Sequence, residues 1–228
     1  MTQTLSRPEK EPISRPSSES VQGVLDSLNS VGPVKHLFTV KQYQRMWDEK
    51  ILDHDKRYEL IEGEILEMTQ NPPHRYALAL LNTLLAQRLA GRVLISPQAP
   101  IDLPSDLSKP EPDLVVIPLE RLNKQEFAPE HIALLIEVSD STLRFDQNRK
   151  LKVYARYGLV EYWILNIPAR TLEKYHTPLK GGYKSKTTLE PGERASCLVY
   201  PDLALEWWEA LPALELEVPQ NESKGETE

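Results

Sequence analysis

The sequence predicts a mixed α/β fold built around one sheet. Three observations carry that class. Two apolar runs of strand length, Asp113-Leu-Val-Val-Ile117 and Ile132-Ala-Leu-Leu-Ile-Glu-Val138, read as strands buried on both faces. Stretches with helical apolar spacing lie before and after them, at 73–90 and 145–157. Residues 58–68, Tyr-Glu-Leu-Ile-Glu-Gly-Glu-Ile-Leu-Glu-Met, alternate on either side of Glu62-Gly63, as a β-hairpin does.

The elements follow in order. Thr39-Val-Lys-Gln42 is a capping-box pattern that opens a short helix to about Asp48. The hairpin comes next, then the helix of 73–90, with Gly91 placed where a glycine ends a helix. Short strands are expected at 93–96 and 99–103, then the two apolar strands, the helix of 145–157 ending at Gly158, and a buried strand at 161–166. Segments 170–176, 182–188 and 195–200 predict a terminal β-meander. Residues 1–33 are rich in Ser, Pro, Glu and Gln and predict a disordered leader. Residues 219–228 predict an acidic disordered tail, which leaves 34–218 as the domain.

The chain has 228 residues, 34 acidic and 27 basic, for a formal charge of -7. The last 28 residues hold eight of the acids and one lysine, so the rest is neutral overall. Within it, residues 144–194 carry 11 basic and 5 acidic side chains. A local positive field of this kind is compatible with an anionic substrate despite the acidic total. The single cysteine, Cys197, excludes an intramolecular disulfide and a cysteine-based zinc site. No apolar run approaches the roughly 18 residues of a membrane span, and the N-terminus lacks a signal-like apolar stretch; a cytoplasmic protein with no membrane partner is expected.

Two acids fall where acids are expensive. Asp113 opens one buried strand and Glu137 lies near the end of another. Burying a bare carboxylate costs several kcal/mol, so each needs a partner. A structural ion pair would serve either one alone. Two on neighbouring strands, with no basic residue between them, shift the balance toward a shared hard cation such as Mg²⁺. On a helical wheel of about 100° per residue, Lys150 falls in the middle of an apolar stripe with Val153, Tyr154 and Tyr157. Asn148, Arg149, Lys152 and Arg156 fall opposite. A snorkelling side chain or a core ion pair is the ordinary account of such a lysine. The functional account is an ammonium delivered to the cavity of Asp113 and Glu137. Two carboxylates, a divalent ion and an amine make a toolkit for phosphodiester hydrolysis. Arg144, Arg149, Lys152 and Arg156 would then follow a nucleic-acid backbone, unless they are an ordinary charged helix face. His74 is a candidate phosphate contact or general base, set against the commoner exposed histidine at a helix start. Asp146 is placed for an i, i+4 pair with Lys150, and Tyr154 reads as core.

The segments YELIEGEILEM, EPDLVVI and IEVSDSTLRFDQNRKLKVYARYGLVEYWILN resemble the Uma-two family of endonuclease-like proteins, within the PD-(D/E)XK restriction-endonuclease-like superfamily. The likeness runs over roughly residues 37–200. It implies a restriction-endonuclease-like core: a mixed central sheet flanked by helices. It also implies a metal-dependent nuclease acting on nucleic acid, expected to be DNA, with Mg²⁺ or Mn²⁺ as cofactor and a homodimer as the assembly. Asp113 matches the acid of the Pro-Asp element, and Glu137 the acid of the second element, with the Val138 carbonyl completing the coordination. The superfamily lysine would stand at residue 139, where this chain has serine, and Lys150 fits a relocated amine. Glu59 matches an additional upstream acid. The missing lysine and the acidic tail support a rival reading, a nuclease fold kept as a binding or assembly module without catalysis. A third reading is a two-carboxylate hydrolase acting on a small substrate, as in glycosidases.

Overall fold

The computed structural model describes residues 35–122 and 127–213. The expected leader and tail lie outside the described residues. The chain divides between His36 and Leu37, and the described helices and strands all belong to the unit from Leu37 onward.

Helix α1 (Val40–Asp48) begins with the expected capping box: the Thr39 hydroxyl accepts from the Gln42 N–H while the Gln42 side chain accepts from the Thr39 N–H. Strands β1 (Arg57–Ile61) and β2 (Glu64–Met68) form a two-stranded antiparallel sheet. Their turn places Glu62 at φ 49° and Gly63 at φ 81°. Positive φ at both central residues is the type I′ geometry, which matches strand twist. Glycine is also required sterically at Gly63, because a Cβ there would lie 2.6 Å from the Cβ of Leu37.

Helix α2 (Pro72–Arg88) starts after Asn71, whose side chain caps the His74 N–H at 3.0 Å, with prolines in the first turn where no N–H is needed. Six strands then form the main sheet: β3 (Val93–Pro97), β4 (Leu114–Pro118), β5 (Leu134–Ser139), β6 (Glu161–Asn166), β7 (Thr171–Leu179) and β8 (Gly182–Leu189), side by side in that order. Every pairing is antiparallel except β5 with β6. A parallel pair needs a crossover, and helix α3 supplies it. Helix α3 covers residues 143–156: α-helical over Leu143–Phe145, π-helical over Asp146–Lys150 and α-helical again over Leu151–Arg156.

Side-chain alternation gives the sheet two cores. Leu114, Val116, Leu134, Ile136 and Trp163 pack on one face against Leu78, Leu81 and Leu85 of α2 and against Trp207 of a C-terminal 3₁₀ turn. Val115, Leu135, Tyr162 and Ile164 pack on the other face against Leu151, Val153 and Tyr154 of α3 and against Ile61 of the hairpin. Among the described residues no helix is long and apolar enough to cross a membrane.

Two expected strands are absent. Residues 99–103 are irregular, although Ile101 and Leu103 are buried there. Pro97, Pro100 and Pro104 remove backbone donors, and the segment ties itself instead through Ile101 N–H to the Pro110 carbonyl. Residues 195–200 contribute only a bridge between Ala195 and Leu205, because a turn returns Tyr200 N–H to the Cys197 carbonyl. The meander therefore ends after β8.

Candidate active site

The site lies where the β4–β5 ladder opens. The register pairs Leu114 with Ile136, Val115 with Leu135 and Val116 with Leu134, and no pair continues it to Asp113 and Glu137. Both acids alternate onto the face that carries α3 and the hairpin. The ladder bond is replaced by a side chain: Val138 N–H donates to Asp113 Oδ2 at 2.8 Å. Asp113 Oδ2 also meets His74 Nε2 at 3.0 Å, and neither bond uses Oδ1.

Helix α3 brings Lys150 to the same face. Its side chain is 1 % exposed, and Nζ donates to Glu59 Oε1 at 2.9 Å and to Glu137 Oε1 at 3.0 Å. Tyr154, one turn further along, donates its hydroxyl to the same Glu137 oxygen at 2.7 Å. Lys150 is the last residue of the π-helical stretch, and Tyr154 lies on the regular α-helical part that follows. Such wide turns recur at functional sites.

Burial and neighbouring charge set the protonation of these groups. Burial drives the Glu137 carboxyl well above the ordinary range; Lys150 opposes the shift, and Asp113, Asp146 and Glu59 reinforce it. Glu59 is raised in the same way by burial, against the pull of Lys150. Burial would raise Asp113 too, but the His74 bond, Lys150 and the Val138 N–H bring it below its usual value. Burial disfavours the Lys150 ammonium, and the carboxylates of Glu137 and Glu59 more than reverse that, holding it charged.

These residues line a cavity of about 60 Å³, with Asp140, Ser141 and Asn71 among the more exposed residues of its wall. Asn71 Nδ2 donates to Asp140 across it. The lining holds five acids, Glu59, Asp113, Glu137, Asp140 and Asp146, against Lys150, Arg57 and His74. Arg57 is drawn to Glu111 at 3.5 Å, so carboxyl groups outnumber the cationic groups left to face them. Among the described residues no three His, Cys, Asp or Glu side chains already form a metal-binding group. The donor chemistry fits a hard cation nonetheless: five carboxyl groups line the cavity, and Glu59 Oε2 is buried with no hydrogen-bond partner. Asp113 and Glu137 would hold it, with backbone, substrate or water oxygens completing the shell.

The remaining sequence candidates divide. Glu59, Asp113, Glu137, Val138, Lys150 and His74 line one cavity. Arg144 and Lys152 are exposed on α3. Arg149 does not face solvent as the wheel placed it. It folds onto the hairpin, reaching the Ile61 carbonyl at 2.8 Å and the carboxylates of Glu62 and Glu64. Within the wide π-turn the regular 100° step fails, which is why that residue turned inward. Asp146 takes the Ser139 and Thr142 hydroxyls at 2.7 and 2.6 Å in place of a direct pair with Lys150. Ser139, at the superfamily lysine position, thus anchors an acid. Tyr154 is core, as the sequence reads it, and its hydroxyl also reaches Glu137; Gln70, on the cavity wall, was not singled out. Tyr154 carries a signal, since it stands four residues after Lys150; Gln70, in the loop between β2 and α2, carries none.

A six-stranded mixed sheet with α2 on one face, α3 on the other and paired acids at the opening between two strands is a restriction-endonuclease-like α/β fold. It superposes on the crystal structure of a putative nuclease belonging to DUF820 from Anabaena variabilis, with a TM-score of 0.60 at 14% identity, over 79% of this chain and 100% of that one. The profile of the Uma2 family, described as "putative restriction endonuclease", matches residues 40–210, and the chain belongs to that family. Comparison with curated proteins finds no match.

Proposed function

We propose that the protein is a metal-dependent nuclease that hydrolyses phosphodiesters of DNA through Asp113, Glu137 and Lys150. The observation that carries this reading is the buried carboxyl cluster: Glu59, Asp113 and Glu137 are 1%, 6% and 3% exposed and line one cavity with Lys150 and His74. Such a set of carboxyl groups can exchange the protons that burial favours on the two glutamates for a divalent cation. Family membership and the fold point to the same chemistry.

A bound Mg²⁺ or Mn²⁺ would add Lewis acidity at the phosphate and make water a stronger acid at neutral pH. Asp113 and Glu137 would hold it, and His74 and Val138 N–H fix Asp113 through Oδ2, leaving Oδ1 out of both bonds. Lys150 places a fixed positive charge where negative charge develops on the phosphate, and Glu59 orients it. Tyr154 holds Glu137 in place. Arg144 and Lys152 extend a basic surface along α3 for the backbone of the nucleic acid. By resemblance to the superfamily, the cutting unit is read as a homodimer acting in the cytoplasm; light scattering on the purified chain tests the dimer.

Asp113→Asn should leave the circular dichroism unchanged, abolish the heat of Mn²⁺ binding and reduce cleavage of plasmid DNA below detection. A wild-type protein that neither takes up Mn²⁺ nor cuts nucleic acid overturns the reading. The serine at position 139 and the tie between Lys150 and both glutamates favour one rival, a binding module without catalysis. That module would keep its affinity for DNA in chelator.

A further inference from the structure

Three buried side-chain polar atoms lack a hydrogen-bond partner: Glu59 Oε2, Gln70 Nε2 and His74 Nδ1, counted among the described residues. All three residues line the same cavity. Leaving one such atom unpaired costs about 1–3 kcal/mol, so their coincidence in one place marks a site built for an absent partner. Their chemistry states what that partner offers. Gln70 Nε2 is a donor and needs an acceptor oxygen. Glu59 Oε2 accepts, and so does His74 Nδ1 when Nε2 gives its proton to Asp113; water can serve both.

The acceptor for Gln70 has to enter a cavity dominated by carboxylates, where a second lysine would be captured by the acids and lost to the ligand. A neutral amide is not captured. Gln70 lies in the three-residue link between β2, which ends at Met68, and α2, which starts at Pro72. The neighbouring Asn71 is committed to capping His74 N–H and to Asp140. The link is therefore fixed at its far end while the Gln70 amide is uncommitted.

We propose that Gln70 is the substrate-contact residue for the scissile phosphate, its Nε2 donating to a non-bridging oxygen of the phosphodiester. This rests on the nuclease reading and deepens it by naming the group that binds the reacting phosphate without binding the cation.

The test compares wild-type full-length protein with Gln70→Met, which keeps length but has no donor, and Gln70→Glu, which adds charge. A fluorescein-labelled DNA oligonucleotide is used for binding in Ca²⁺ and for cleavage in Mn²⁺, and Mn²⁺ alone is titrated calorimetrically. Gln70→Met should weaken oligonucleotide binding and raise KM by about tenfold to a hundredfold, the worth of one hydrogen bond to a charged group, and Gln70→Glu should weaken them more. The Mn²⁺ affinity of Gln70→Met without DNA should stay at the wild-type value. Unchanged KM and oligonucleotide affinity in Gln70→Met overturn the proposal, as does an equal loss of Mn²⁺ affinity, which would mean that the amide acts through the carboxylates. If wild type binds DNA without cutting and Gln70→Met loses that binding, hydrolysis fails while the contact stands. If wild type neither binds nor cuts, both fall.

Discussion

Lys150 holds two buried glutamates at once, so its removal should be felt throughout the core. Lys150→Met would leave Glu59 and Glu137 without a counter-charge, and breaking a buried pair from one side costs about 3–5 kcal/mol. Urea unfolding should show a loss of that size, and Glu59→Gln added to it should restore part, because one uncompensated carboxylate disappears. Additive losses would mean that the two residues do not interact. Lys150 was legible because a charge in an apolar stripe is anomalous on any wheel. Asp113 and Glu137 were legible as acids in strands of aliphatic residues. Glu59 was legible only through the family pattern, since alternation in a hairpin does not say which face is covered. Its burial depends on Lys150, 91 residues away in sequence. His74 is in the sequence a candidate phosphate contact or general base, set against the exposed histidine usual at helix starts; what the sequence does not show is its bond to Asp113, 39 residues on.

At the scale of elements, the hairpin is a working part of the site rather than an ornament. It delivers Glu59 to the cavity and offers Ile61, Glu62 and Glu64 to Arg149. Gly63→Ala would strain a φ of 81° and drive a Cβ against Leu37, which should destabilise the fold by about 1–3 kcal/mol and weaken Mn²⁺ binding with it. An unchanged melting temperature would show that the turn has other room. The turn, the cap of α1 and the central strands were readable because each depends on neighbours in sequence; α2 instead ends at Arg88 with Leu89 as its cap, short of the expected Gly91. The π-turn of α3 was not, since its extra width is set by what the helix meets on the sheet and hairpin. Residues 99–103 misled for the converse reason: alternating Ile and Leu looks like a strand even where prolines deny it a ladder.

For the whole molecule, the raised carboxyls of Glu59 and Glu137 fix how stability follows pH. A group whose native pKa is above its unfolded value binds protons more tightly when folded, so stability falls as pH rises through the window that begins near 4.5 and extends upward to the raised value. Asp113 is shifted the other way, and its contribution is lost only as pH falls below about 3.8. In chelator, the melting temperature should therefore be higher at pH 5.5 than at pH 8. Millimolar Mn²⁺ should raise it more at pH 8, where the ligands are ionised and free of competing protons. A cation effect that is equal at both pH values would detach the metal from these two glutamates.

The distance along the chain between the parts of the cavity has a bearing on synthesis. Glu59 leaves the ribosome 91 residues before Lys150, and β6, the strand that flanks β5, emerges later still. A nascent or truncated copy thus holds its acids with no amine among them and no pocket to enclose a cation. The enclosed cavity, with its amine among the acids, arrives only with the finished molecule.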